Sequence, residues 1–184
     1  MNSNHPARSS RMFLRRLRQR GVTLLELIAA LAIIAIIIIG ALALVSQADA
    51  SAKSGELLRG LASLRAGTIA ATMGEVGFGN DNMNTALIRS RRIPDNWTRP
   101  GNTTDIIHSY GRPVTVMGLG DRFSVTFEDV PVEACIQLIS QQAGTSWQSV
   151  TVAGGTAVNF PTTLIGATAA CGAAGGDLVF TSLN

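Results

Sequence analysis

The stretch RRLRQRGVTLLELIAALAIIAIIIIG, residues 15–40, decides how the chain is organised. Four of its first six residues are arginine, and after Gly21 an almost purely apolar run begins. From Leu27 to Val45, nineteen consecutive residues carry no charge. At about 1.5 Å per residue, a helix of this length crosses the ~30 Å hydrocarbon core of a bilayer. The stretch therefore predicts a membrane-spanning helix that carries a single carboxylate, Glu26, near its start.

Charge is divided unequally between the two ends of the chain. Residues 1–21 carry six arginines and no acidic residue, whereas residues 22–184 carry nine basic and twelve acidic side chains. A basic segment before an apolar helix stays in the cytoplasm, so whatever follows Val45 is expected outside it. The basic character belongs to the N-terminal segment, and the rest of the chain gives no indication of nucleic-acid binding.

Two ordinary explanations fit a basic segment followed by an apolar run, namely a cleavable secretory signal and a plain membrane anchor. A secretory signal usually has an apolar core of only about 7 to 15 residues. Residues 48–50, Ala-Asp-Ala, nevertheless resemble a cleavage site that would release a domain beginning at Ser51. Glu26 argues against both explanations, because a carboxylate in a spanning helix costs roughly 2.5–3.5 kcal/mol and usually marks a function.

A cut between Gly21 and Val22 would give Glu26 a partner. The cut removes the N-terminal arginines and creates an α-amino group on Val22, four residues before Glu26. This amine lies about one helical turn away, and in a stack of parallel helices it can equally come from a neighbouring chain. A buried amine–carboxylate pair of this kind would fix the axial register between subunits.

The motif GVTLLE, residues 21–26, after a basic leader and before a long apolar helix, resembles the class III signal of type IV prepilins. The resemblance implies that a membrane-embedded prepilin peptidase cuts after Gly21 and methylates the new amine of Val22. It also implies an assembly role for Thr23 and Glu26, with Glu26 on the family's invariant glutamate. The 21-residue leader and Val22 as first residue are similar to the type IVb subclass, including thin-pilus pilins of conjugative plasmids.

The apolar helix departs from the family pattern at one point. Many pilins carry a proline about twenty residues into the mature helix, and this chain has none there. Gly40 is the helix-weakening residue of the run, at a cost of about 1 kcal/mol relative to alanine. If the helix loosens in the assembled fibre, we expect it to do so at Gly40, and amide exchange across residues 38–44 would detect this.

The helix is expected to run from Val22 to Met73, where the glycine-rich GEVGFGN ends it. Two stripes of residues recur at steps of three and four, and either could be the face that packs on the globular head. The remaining stripe would then contact neighbouring subunits or belong to a wider core. The first stripe is Val45, Ala48, Ala52, Gly55, Leu58, Ala62, Ala66, Ile69 and Met73, and the second is Leu57, Leu61, Leu64 and Thr68. The predicted domains are a cleaved leader (1–21), a membrane and filament-core segment (22–45) and an exported head (46–184).

The fold is predicted to be α+β and type IV pilin-like, with the long N-terminal helix packed against an antiparallel β-sheet. Residues 112–130, RPVTVMGLGDRFSVTFEDV, alternate apolar and polar side chains around a GLGD turn, which indicates a hairpin. A helix starting at Pro131, two short strands within 147–160 and a terminal strand in 177–184 are expected to follow.

Between the long helix and the hairpin, residues 81–94, DNMNTALIRSRRIP, indicate a short helix that is capped near Asp81 and stopped by Pro94. Its arginines form either a basic patch or an ordinary solvated face. These arginines are Arg89, Arg91 and Arg92. The following residues, 95–105, are predicted to be loop.

Cys135 and Cys171 are the two cysteines of the chain, and both fall in the exported head. Outside the cytoplasm such a pair most often forms one disulfide. A metal site would need further ligands nearby, and redox catalysis a close C-x-x-C pair, and neither occurs. By the family resemblance, the bond brackets a surface region, residues 136–170, and fastens the terminal strand to the helix that holds Cys135.

The sequence offers no catalytic grouping, so we expect a protein that is not an enzyme and needs no cofactor or metal. His5 lies in the leader, and His108 stands alone in a β-rich stretch where a structural role is expected. Nucleophile elbows, phosphate loops and paired His–carboxylate spacings do not occur.

The expected function is that of the major subunit of a type IVb pilus, polymerised through its N-terminal helix into a helical fibre. The resemblance implies prepilin peptidase, other pilin subunits and an inner-membrane assembly platform with an ATPase motor as partners. It places the precursor in the inner membrane of a Gram-negative bacterium and the fibre outside the cell. A type II secretion pseudopilin, a minor pilin and a simple anchored or secreted domain are the alternatives, and conjugation, cell adhesion, aggregation and motility are all open as uses of the fibre.

Overall fold

The chain divides into two compact units, Met1–Ala43 and Leu44–Asn184, and each contains part of one long helix. The computed structural model describes residues 23–98, 101, 104–142 and 147–183. The helix, α1, spans Leu24–Ala71. It therefore ends two residues before the predicted Met73, while the predicted start at Val22 lies outside the described residues.

The second unit adds a sheet and three further helices among its described residues. In chain order these elements are α2 (Asn84–Arg89), a 3-10 turn (Asp95–Trp97), β1 (Ile106–Ile107), β2 (Pro113–Gly118), β3 (Phe123–Val130), α3 (Val132–Gln141), β4 (Trp147–Val152), β5 (Val158–Asn159), α4 (Leu164–Cys171) and β6 (Gly176–Ser182). The strands pair antiparallel in the order β1-β2-β3-β6-β4-β5. The predicted α+β class with an antiparallel sheet is confirmed.

The predicted hairpin forms the β2–β3 pair, in which Val114 lies opposite Phe127 and Val116 opposite Val125. All four side chains are buried, since alternate residues of a strand point to the same face of the sheet. The C-terminal strand β6 lies in the middle of the sheet, between β3 and β4. The last residues of the chain thereby join the two halves of the sheet, and the ring of Phe180 lies 6.3 Å from that of Phe127.

The second of the two predicted stripes packs α1 into the core of the second unit. Leu57, Leu61, Leu64 and Thr68 are completely buried, and the Thr68 hydroxyl donates to the Leu64 carbonyl at 2.8 Å. Burying each leucine contributes about 1.5–3 kcal/mol. Most of the first stripe is exposed, as at Ala48, Ala52, Ala62 and Ala66. The second stripe is therefore the core face.

The segment between α1 and β1 lies directly on α1 because two positions of the helix are glycine. A Cβ atom at Gly60 would overlap the indole ring of Trp97, and one at Gly67 would overlap the backbone carbonyl of Arg92. Trp97 is buried, and its indole N–H donates to the Glu56 carboxylate at 3.0 Å.

The predicted limits of α2 are wrong at both ends. The helix begins at Asn84, three residues after Asp81, and the Asn82 side chain accepts the Asn84 N–H at 2.8 Å. Residues before Asn84 instead bond to the sheet, where Asn82 forms a bridge with Met117. The helix ends at Arg89 and not at Pro94, because the chain reverses earlier, at Arg91, which has a φ of +52°.

Three elements were not predicted: β1, the 3-10 turn and α4. β1 has only two residues and exists through its pairing with β2. α4 begins after Thr163, whose hydroxyl accepts the Gly166 N–H at 3.2 Å as a helix cap. The remaining elements, α3 after Pro131, the β4–β5 pair and β6, confirm the predictions for residues 131–184.

Candidate functional site

Thr23 and Glu26 form the beginning of α1. The Thr23 hydroxyl accepts the backbone N–H of Glu26 at 3.3 Å, and the Thr23 carbonyl accepts the N–H of Leu27 at 3.1 Å. Thr23 is thus the N-cap of the helix, and Glu26 is the third residue after it. The pattern Thr-x-x-Glu is that of a capping box, a sequence signal that marks the start of a helix at this position.

Glu26 stands in an otherwise apolar surface. Leu24 and Leu25 beside it are 78% and 80% exposed. The ion pairs formed among the described residues do not include Glu26. The proposed cleavage residues, Gly21 and Val22, lie outside the described residues, so the pairing of the Val22 amine with Glu26 stays a prediction.

The apolar segment that follows is exposed along its whole described length. Side chains with described burial from Leu24 to Val45 are all exposed, including thirteen leucines and isoleucines that are at least half accessible. Among the described residues, α1 is the one helix long and apolar enough to cross a membrane, with a mean hydropathy of 3.2 in its most apolar part. Such a surface needs lipid or other helices around it.

Gly40 lies inside this segment, and α1 continues through it without interruption. A Cβ atom at position 40 would meet nothing within 4 Å. The glycine is therefore not required by a close contact within the chain. The predicted loosening at Gly40 concerns the assembled fibre and stays a prediction.

The predicted disulfide between Cys135 and Cys171 is confirmed. The two Cα atoms are 6.0 Å apart, and both residues are buried. Cys135 lies on α3, as predicted, but Cys171 is the last residue of α4. The bond therefore joins α3 to α4, and it reaches the terminal strand β6 only through the four residues between Cys171 and Gly176.

His108 has a structural environment. It is buried, its Nε2–H donates to the Glu128 carbonyl at 2.9 Å, and its Nδ1 accepts the Tyr110 N–H at 3.2 Å. Burial lowers the pKa of His108 below its ordinary 6.5, against the opposing effects of the Glu128 carbonyl and the Asp129 and Glu128 carboxylates. Both ring nitrogens are thus occupied, and the side chain holds the turn before β2.

The described part of the chain contains no group of three or more His, Cys, Asp or Glu side chains that could hold a metal ion. Three ion pairs lie at the surface of the described head, among them Lys53–Asp49 at 3.2 Å. The chemistry that distinguishes this chain is therefore the exposed apolar helix with a carboxylate in its first turn.

Two family models match the sequence. The model described as PilS N terminal matches residues 48–183, and the model described as prokaryotic N-terminal methylation motif matches residues 16–42. Together they cover the head and the segment that holds Gly21, Val22 and Glu26. No curated protein matches the sequence.

Solved structures of pilins share the fold. The type IVb pilin from Salmonella typhi is 19% identical, with a TM-score of 0.57, over 69% of this chain and 97% of that one. TcpA, a type IV pilin from Vibrio cholerae El Tor biotype, is 10% identical, with a TM-score of 0.50, over 71% of this chain and 99% of that one. At these identities the likeness shows the pilin fold.

Proposed function

The chain belongs to the family described as PilS N terminal and is a type IV pilin, and we propose that it is the major subunit of a type IVb pilus. Prepilin peptidase cuts the precursor between Gly21 and Val22 and methylates the Val22 amine. The mature chain then polymerises through residues 22–45. As a pilin, the protein is a structural subunit and not an enzyme.

The observation that carries this proposal is the exposed apolar surface of residues 24–45 with Glu26 in its first turn. Lipid tails are as apolar as leucine, so burial alone does not favour a fibre over the bilayer. Helix packing and a specific polar contact have to supply the difference. In the proposal, the Val22 amine of one subunit and Glu26 of the same or a neighbouring subunit supply that contact and set the stagger.

The location and the other partners follow from this mechanism. The precursor waits in the inner membrane of a Gram-negative bacterium, with residues 1–21 on the cytoplasmic side. An assembly platform with an ATPase motor extracts the mature subunits and adds them to an extracellular fibre. The uncharged length from Leu27 to Val45 supports the membrane stage, and the disulfide of the head supports an oxidising compartment for residues 46–184.

Mass spectrometry of the N-terminus tests the processing step. We expect a methylated Val22 in sheared fibres and the unprocessed Met1 terminus when the peptidase is absent. An N-terminus at Ser51, or an intact leader in the fibres, would overturn the proposal. A dominant polypeptide other than this chain in the fibres would make it a minor pilin, and processing without fibres but with secretion would make it a pseudopilin.

Substitutions of Glu26 test the assembly step. We expect Glu26→Ala and Glu26→Gln to be processed normally and to yield at least tenfold less fibre. Glu75→Ala is the matched control, because Glu75 is an exposed glutamate beyond the opposite end of α1. Wild-type fibre yield from Glu26→Gln would refute the role of the carboxylate charge.

A further inference from the structure

α2 ends in a Schellman motif built around an arginine. The Arg92 N–H donates to the Leu87 carbonyl at 3.0 Å, and the Arg91 N–H to the Ile88 carbonyl at 3.1 Å. These are the two bonds of that motif, in which the left-handed position is usually glycine. Here the left-handed residue is Arg91, with a φ of +52°. An exposed arginine at a glycine position indicates that its side chain has a role outside the fold.

Arg91 stands at the rim of an open groove of about 380 Å³. Small residues of α1 between Ser63 and Ala70 form one wall, and Arg91, Arg92 and Ile93 form the other. No acidic side chain lines the groove itself, although Asp95 lines a neighbouring pocket together with Arg91. The ion pairs formed among the described residues do not include Arg91, Arg92 or Asp95. We name this feature the basic groove.

A second irregularity exposes two consecutive acidic side chains at the end of β3. The register of β3 with β6 shifts between Phe127 and Val130, and Asp129 has a φ of +50°. In a regular strand neighbouring side chains point to opposite faces, but Glu128 and Asp129 are both exposed because a bulge re-aims them. Asp177, also exposed, accepts the Asp129 N–H at 2.9 Å. We name Glu128, Asp129 and Asp177 the acidic corner.

The acidic corner keeps a net negative charge. Arg112 pairs with Asp129 at 2.7 Å and neutralises one of the three carboxylates. Glu128 and Asp177 take part in none of the ion pairs formed among the described residues. The side chain of Glu128 is therefore available to a cation of another molecule.

The two features lie at different heights along α1. The turn before β2 connects the acidic corner to Lys53, since His108 donates to the Glu128 carbonyl and the Ser109 hydroxyl donates to the Lys53 carbonyl. The basic groove lies at Gly67. At ~1.5 Å per residue, Gly67 is about 21 Å farther along the helix than Lys53.

We propose that the basic groove of one subunit receives the acidic corner of a second copy of this chain in the fibre, with Arg91 facing Glu128. The inference rests on the proposed function and adds which surfaces of neighbouring heads meet. Two different patches at different heights make a heterologous contact, which repeats as an open helical fibre when the rotation does not close. Complementary charge fixes the register of such a contact and disfavours wrong neighbours.

The same chain supplies both charges, and this favours a second copy over an external anion such as a nucleic acid. A nucleic acid would require the arginines alone and would leave the exposed carboxylates of the corner unexplained. A second copy supplies a partner of opposite charge for both the basic groove and the acidic corner.

Exchanging the charges tests the contact in cells that make the full-length chain. We expect Arg91→Glu and Glu128→Arg each to lower the yield of sheared fibres at least tenfold, and the double variant to recover to within threefold of wild type. Arg59→Glu and Glu75→Arg are matched controls, which change the net charge equally at other exposed positions and should stay within twofold. Wild-type yield from both single variants, or no recovery in the double variant, would overturn the proposal.

Arg91→Gly separates assembly from folding. Glycine suits the left-handed position, so the variant should unfold at a higher temperature than wild type and still lose at least fivefold in fibre yield. Processing to Val22 is measured in every variant, because an intact leader would be a failure of the proposed function and not of this contact. Normal fibre yield from Arg91→Gly would count against the proposal.

Cysteine cross-linking reports the contact directly, because the two native cysteines are already paired and buried. The Arg91→Cys/Glu128→Cys variant should yield fewer fibres, and after oxidation these fibres should give a ladder of multimers on non-reducing gels, whereas each single variant should give only monomers. Dimers from Arg91→Cys alone would indicate a contact between two copies of position 91 and would refute the heterologous one. Monomers only from the double variant would refute it as well.

Discussion

Removing the disulfide should destabilise the head by several kilocalories per mole. The bond joins α3 to α4 at a sequence separation of 36 residues and is buried at both ends. In the chain-entropy model, closing a loop of this length removes about 12.8 cal/mol/K from the unfolded chain, which is about 3.8 kcal/mol at 25 °C. For a chain of this size, that loss corresponds to a fall in Tm of roughly 8–15 °C.

The two tryptophans make this change measurable in the complete chain. Trp97 and Trp147 are 1% and 2% exposed, and residues 24–45 contain no aromatic residue. Tryptophan emission of the mature chain in detergent therefore follows the head and not the apolar segment. Guanidinium titrations would compare oxidised wild type, reduced wild type and the Cys135→Ala/Cys171→Ala variant.

If the disulfide stabilises the head by closing a loop in the unfolded chain, these titrations should give two results. Reduced wild type and the double variant should have nearly the same free energy of unfolding, because both lack the same constraint. Addition of a reductant should leave the variant unchanged. A variant within 1 kcal/mol of oxidised wild type would refute the reasoning, since the unfolded chain would then gain little freedom from loss of the bond.

Further predictions concern the packing on α1 and the buried histidine. Gly60→Ala should lower the free energy of unfolding by about 1–3 kcal/mol and shift the emission of Trp97, because the new Cβ overlaps the indole. Gly55→Ala, whose Cβ meets nothing within 4 Å, should instead raise it by up to about 1 kcal/mol. Equal effects of the two substitutions would contradict this. The lowered pKa of His108 gives stability that is complete above pH 6.5 and is lost as the pH falls through the folded-state pKa. Titrations between pH 7.5 and 5 should show a slope of at most about 1.4 kcal/mol per pH unit from this group, and His108→Gln should remove it; an unchanged slope would exclude His108 as its source.

Periodicity predicted both stripes of α1 but could not tell which one packs on the sheet. Both recur at steps of three and four, so both trace a face of a helix. Side-chain size separates them, because a close-packed core needs large side chains such as Leu57, Leu61 and Leu64. The other stripe includes four exposed alanines and a glycine, which leave α1 narrow at those positions.

α4 could not be predicted from local pattern for a related reason. Residues 162–171, TTLIGATAAC, are small or apolar throughout and have no polar face to mark a helix period. The helix depends on its Thr163 cap and on the bond from Cys171 to α3, and the second of these is a long-range constraint. The strands of the sheet other than β1 were predictable because their alternation is local.

The apolar part of α1 was predictable because its signal, an uninterrupted apolar run, can be seen in the sequence alone. The basic groove was not. A left-handed residue at a helix end is usually glycine, so the turn after α2 could not be predicted from a sequence that has arginine at position 91. Strand alternation likewise predicts that one of Glu128 and Asp129 is exposed and the other buried, and the bulge that exposes both could not be predicted from the sequence.

The cap at the start of α1 offers a simpler reason for Glu26 than an ion pair, and magnitudes decide between the two. A helix cap contributes about 0.5–2 kcal/mol, whereas a carboxylate at membrane depth costs roughly 2.5–3.5 kcal/mol. The capping box also works with glutamine at this position, so the cap needs no charge. A chain that needed only the cap would lose nothing by replacing Glu26 with an amide. The charge therefore needs a cation, and the proposed cut creates one on Val22, beside Thr23. This is why Glu26→Gln is the decisive variant: it keeps the cap and removes only the charge.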